Sequence, residues 1–126
     1  MEFEDLLGKI LSRIDVNKAN DEIIFVEDSG KKYRMYHDQN CCESVSIEDI
    51  CGNLDDLIGS PIIRASEDSN SETHPKGFIP EYEPDSFTWT FYNIATAKGH
   101  VTIRWYGESN GYYSESVDFE EIEEIN

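Results

Sequence analysis

The sequence predicts an α+β fold, with an N-terminal helix packed on a mostly antiparallel sheet that ends in a three-stranded meander. Three observations predict it. Residues 3 to 14, "FEDLLGKILSRI", set Phe3, Leu6, Leu7, Ile10, Leu11 and Ile14 at helical spacing on one face. The middle of the chain alternates short apolar runs with turn residues. The C-terminal third alternates apolar and polar residues through three runs separated by "KG" and "ESNG".

After the helix, "DVNKAN" breaks the pattern. "EIIFVEDSGKKYRMYHD" reads as a hairpin with its turn at "EDSGKK". Ile23 and Phe25 share one face of its first strand, and Tyr33, Met35 and His37 share one face of its second. "CESVSIEDI" is a third strand, with Val45 and Ile47 pointing inward. "GNLDDLIGS" is a short helix with Asn53 as N-cap and Gly59 as its stop. "PIIRASE" is a fourth strand. Residues 68–86 hold three of the four prolines and no periodicity, which predicts a long loop. "FTWTFYNIAT", "HVTIRWYG" and "YYSESVDF" form the meander, followed by the acidic tail "EEIEEIN". The expected sheet has about six or seven strands. Trp89, Phe91, Ile103, Trp105, Val117 and Phe119 are expected on its core face.

The 126 residues make one domain, 1–126, large enough to bury a core without metal or disulfides. The net charge, 10 − 27 = −17, argues against nonspecific affinity for nucleic acid or for anionic membranes. It permits plain solubility, or a negative surface that competes for a basic site on another protein. No apolar run has the length of a membrane span, and the acidic, amphipathic N-terminus does not read as a secretory signal. Cys41, Cys42 and Cys51 are odd in number, and adjacent cysteines rarely bridge each other. A reduced, cytoplasmic protein is the expectation.

The segment "HDQNCCE", His37 to Glu43, concentrates reactive side chains. A metal reading takes His37, Cys41 and Cys42, completed by Glu43, Cys51 or His100, although no CxxC is present and strand alternation sends Cys41 and Cys42 to opposite faces. A thiol-enzyme reading pairs Cys41 or Cys42 with His37 or His100, oriented by Asp38 or Glu115. The plain alternative is a hairpin end, with cysteines in the core and His37 and Asp38 capping a turn. No cofactor is implied, and the balance is against an enzyme.

"ESVSIEDI" from Glu43 echoes "ESVDFEEI" from Glu115 at five of eight positions, too short a match to establish duplication. Alternation puts Glu43 and Glu115 on the core side of their strands. There a carboxylate must be paired, hydrogen-bonded or protonated. Arg34, Arg64 and Arg104 are candidate partners. If the two glutamates meet, one becomes a candidate acid or base. A polar cluster of His37, Asp38, Cys41, Glu43 and Glu115 is therefore one candidate site. A second is an aromatic surface on the meander and its turn, formed by Tyr92, Arg104, Tyr106, Asn110, Tyr112 and Tyr113. Those residue types suit protein recognition or a small anionic, nucleotide-like ligand.

"MYHDQNCCESVSIEDICGNLDDLIGSPI" together with "WTFYNIATAKGHVTIRWYGESNGYYSESVDFEE" resembles a family of small proteins of phages and bacterial genomes, described only as a domain of unknown function. The resemblance covers about residues 20 to 122 and rests on the His-Asp-Gln…Cys-Cys-Glu segment and "SNGYYSESV". It implies a phage or prophage setting, in which small accessory proteins block host machinery or defence. The expected function is thus an acidic binding protein of the bacterial cytoplasm, directed at a host protein with a basic surface. It would bind neither nucleic acid nor membrane directly. Sequestration of a small anionic signal is the alternative.

Overall fold

Eight strands account for the regular structure, in a computed structural model that describes residues 1–80 and 84–122. They are β1 (Leu11–Val16), β2 (Glu22–Glu27), β3 (Lys32–Tyr36), β4 (Ser44–Cys51), β5 (Arg64–Asn70), β6 (Ser86–Thr96), β7 (Gly99–Ser109) and β8 (Asp118–Ile122). Part of the long loop, 81–83, and the end of the acidic tail, 123–126, lie outside the described residues. Two four-stranded sheets form, ordered β1-β2-β3-β8 and β4-β7-β6-β5, and every strand pair is antiparallel.

The α+β expectation is overturned: the fold is nearly all β. Only Phe3–Leu6 of the expected N-terminal helix is helical, as a single 3₁₀ turn. Gly8 follows in the left-handed region, at φ 85°, and ends it. Ile14 and Val16, stiff at χ1, then extend beside β2. The apolar spacing was real, but it served two purposes. Phe3 and Leu6 plug one end of the core, and Leu11 enters it from a strand.

The hairpin β2–β3 forms as expected, with Glu27 N–H donating to Lys31 O at 2.8 Å across the turn. Ile23, Phe25, Tyr33 and Met35 are all buried. The segment after Asn53 is also a 3₁₀ turn, Leu54–Leu57, capped by Asn53 Oδ1 accepting from Asp55 N–H at 3.0 Å. β5 runs on to Asn70, three residues into the expected loop.

The expected meander is a hairpin plus a crossover. β6 and β7 pair along their full length, but the chain then leaves the sheet, and β8 pairs with β3 in the other sheet. β4 takes the place beside β7 instead. The expected core face of β6 is reversed as well. Trp89 pairs with Tyr106 and Phe91 with Arg104 on the outer face, while Thr90 and Tyr92 pair with Trp105 and Ile103 on the inner one. Aromatic residues occur at both parities of β6, so alternation does not say which face is inside. Tyr92 and Ile94 enter the core. Trp89 is equally buried, but beneath the 71–80 strap rather than between the sheets.

The main core lies between the sheets. Ile23, Phe25, Tyr33 and Met35 from one meet Val45, Ile47, Ile103 and Trp105 from the other. Trp105 Nε1–H donates to Met35 Sδ at 3.2 Å across the gap. The Phe3 ring lies 4.8 Å from Tyr92 and 5.5 Å from Phe119, closing the end. No helix among the described residues is long and apolar enough to cross a membrane.

Candidate functional site

The chain between β3 and β4, residues 37–43, is a turn rather than a strand start. Glu43 organises it. Its Oε1 accepts the backbone N–H of Asn40 at 2.8 Å and of Cys41 at 3.0 Å. Gln39 Nε2 donates to Glu43 O at 2.8 Å, which closes the turn from the other side. Burial alone would raise the Glu43 pKa. The two backbone donors and the nearby His37 outweigh it and leave the carboxyl below its ordinary value.

His37 stands over this carboxylate. Its Nδ1 is 2.7 Å from Ser116 O, and since a carbonyl only accepts, Nδ1 carries the hydrogen. Its Nε2 is 3.7 Å from Glu43 Oε1, and the two side chains are 4% and 0% exposed. Among the described residues, neither His37 Nε2 nor Glu43 Oε2 has a hydrogen-bond partner. His37 also lines an open, polar depression of about 430 Å³ with Asp38, Gln39, Ser114, Ser116 and Asp118. The imidazole thus ties the turn to the segment before β8.

Glu115 is buried as expected, with partners of its own: Thr88 Oγ1 donates at 2.7 Å and Ser109 Oγ at 2.6 Å. Gly107 makes room for it, since a Cβ there would lie 3.0 Å from Glu115 Cβ and 3.0 Å from Val45 Cγ2. Among the described residues, Glu43 and Glu115 share no hydrogen-bond donor; His37 links the turn of one to the backbone next to the other. The expected arginine partners are engaged elsewhere. Arg34 bridges Glu120 at 2.6 Å and Glu22 at 3.7 Å while lying 3.6 Å over the Tyr36 ring. Arg104 holds Glu48 at 2.6 Å, and Arg64 is exposed at the start of β5. Backbone N–H groups and hydroxyls do the work that cations were expected to do.

Cys41 and Cys42 are bonded to each other, against the expectation that neighbours stay apart. Both are exposed, so neither packs in the core and alternation between faces does not apply to them. Neither is a thiol in this state. The free, exposed Cys51 has its thiol pKa raised, first by the hydrogen bond it donates to Asp49 and then by burial, the reverse of an activated nucleophile. Among the described residues no three His, Cys, Asp or Glu side chains converge to hold a metal.

The six aromatic-surface residues fall in separate places. Tyr92 is in the core, its hydroxyl donating to Glu67 at 2.7 Å. Arg104 and Tyr106 are on the outer face of the second sheet, beside Trp89. Asn110, Tyr112 and Tyr113 belong to the segment after β7, where Tyr112 is 88% exposed. Sequence reasoning missed the strap. His74 stacks on Phe87 at 4.0 Å and accepts the Trp89 indole N–H at 3.1 Å, and Phe78 packs on Trp89 at 4.8 Å. It also missed Thr88 and Ser109, ordinary strand residues until the fold brings Glu115 between them.

No curated protein and no solved structure matches this chain. The family model that does match spans residues 4–119, nearly all of the two-sheet fold including the His37–Glu43 turn and the Glu115 site, and the chain belongs to that family, a domain of unknown function (DUF7448).

Proposed function

We propose that this protein is a non-enzymatic binding protein that engages a basic surface on another protein. The observation that carries the reading is the charge and its placement. A net −17 is spread over both broad faces: Asp15 and Glu120 lie on the outer face of the first sheet, and Glu48, Asp49 and Asp68 lie exposed along the second. Such a surface steers association with lysine- and arginine-rich partners. In its finer form, the protein is a phage or prophage accessory factor of the bacterial cytoplasm. It occupies the nucleic-acid groove of a host defence or nucleic-acid-handling protein, offering carboxylates where phosphates would sit.

The test is capture of a partner on the immobilised protein, followed by affinity measurement across a salt series. The dissociation constant should rise steeply towards about 0.5 M salt, where charges a few ångströms apart are screened. The same partner should also lose its hold on nucleic acid as this protein is added. An affinity indifferent to salt would rule out charge mimicry.

A further inference from the structure

The turn after β7 assembles the parts of a self-modification reaction. Asn110 precedes Gly111, which sits at φ 91° and has no described atom within 4 Å of where a Cβ would project, so no side chain crowds the Asn110–Gly111 junction. The Gly111 nitrogen donates its hydrogen to Ser109 Oγ at 3.0 Å. Ser109 Oγ in turn donates to Glu115 Oε2 at 2.6 Å, and Thr88 holds the other carboxylate oxygen at 2.7 Å. A buried carboxylate is therefore connected, through one hydroxyl, to the one backbone N–H that can attack the Asn110 side chain. On the electrophile, Asn110 Oδ1 accepts the Tyr112 N–H at 3.0 Å. This bond folds the side chain forward over the 111–112 backbone and polarises its carbonyl, as a donor does in an oxyanion hole.

We propose that Asn110 is a site of self-catalysed deamidation driven by the Ser109–Glu115 relay. The Gly111 nitrogen loses its proton through Ser109 Oγ to Glu115 and attacks Asn110 Cγ, forming the N–Cγ bond of a cyclic imide. The Cγ–Nδ2 bond breaks, and Nδ2 leaves as ammonia, taking up the relayed proton. Water, the only co-reactant, then opens the imide to aspartate or isoaspartate. No electron is transferred. The product carries one more negative charge, on the rim of an open cleft of about 360 Å³ that Asn110 and Ser109 line with Asp85 and Glu108. The buried Glu115, which serves no part of the proposed binding function, thereby acquires a chemical role.

Peptide mapping by mass spectrometry during incubation of the purified protein at neutral pH tests this. The folded protein should convert Asn110 about 10²-fold faster than the same chain unfolded in guanidinium chloride, the lower end of general-base contributions. Ser109→Ala and Glu115→Gln should remove that advantage. Ser114→Ala, whose hydroxyl bonds Ser116 outside the relay, should keep it. Circular dichroism establishes that each variant is folded. If Glu115→Gln does not fold, Ser109→Ala decides alone. A folded rate at or below the unfolded one, an undiminished rate in Ser109→Ala, or an equal loss in Ser114→Ala would overturn the proposal.

Discussion

At Glu43 a carboxylate with no solvent exposure keeps its charge because two backbone N–H groups and His37 surround it. Its folded pKa lies below the ordinary value, so it contributes stability above the unfolded pKa of about 4.3, and that contribution is lost as pH falls through the folded value. Glu43→Gln should lower the melting temperature at neutral pH more than Glu48→Gln does, and the gap between native and Glu43→Gln curves should close in acid. A pH-independent gap would mean that shape rather than charge matters there. The neighbouring disulfide behaves differently. Its ring spans adjacent residues, so it restrains almost none of the unfolded chain, and both sulfurs lie outside the core. Reduction should raise the thiol titre from one to three while changing stability by less than about 1 kcal/mol. At this scale the sequence was informative about burial: alternation placed both Glu43 and Glu115 inside. It was silent about their partners, because Asn40 N–H, Ser109 and Thr88 carry no sequence mark of being donors to a carboxylate.

The N-terminal segment and the strap mark what could be read at the scale of elements. Apolar residues at 3, 6, 7, 10, 11 and 14 suit a helix, yet Gly8 divides the segment, and Leu11 onward gains a ladder of partners in β2 that an isolated helix lacks. The β2–β3 and β6–β7 hairpins were legible because their turns are local. The placement of β8 was not, since pairing with β3 is decided more than eighty residues away in sequence. The strap over Trp89 follows the same logic. His74→Ala removes the acceptor from a fully buried indole N–H and should cost about 1–3 kcal/mol. Its tryptophan emission should shift to the red as Trp89 gains water, while Trp105, fixed between the sheets, keeps its environment. Unchanged emission would mean that Phe78 alone holds the strap. Gly107→Ala probes the opposite side of the same sheet. A Cβ there meets Glu115 and Val45, so it should destabilise the fold and displace Glu115 from Ser109.

For the molecule as a whole the dominant quantity is a charge of −17 on 126 residues. Self-repulsion opposes the folded state and salt screens it, so the melting temperature should rise between low salt and about 0.5 M. A flat response would show that the carboxylates are locally compensated. Alkali acts through other groups. Tyr92 and Tyr33 have phenol pKa values raised, first by burial and then by the carboxylates of Glu67 and Glu27 that accept their hydroxyls. Their stabilising contribution is full below the unfolded value of about 10 and is lost as pH rises above it, so unfolding in alkali should be delayed in Tyr92→Phe. Composition and local pattern determined, by themselves, the acidic charge, the hairpins, the turns and the burial of two glutamates, since each of these depends on charge counts or on neighbours within a few residues. Only the tertiary structure decided that there are two sheets, which face of β6 is inside, and that Glu115 meets Ser109 beside Asn110. Those outcomes depend on which strand becomes whose neighbour, and that choice is made by burying apolar area between distant segments rather than by any one segment's pattern.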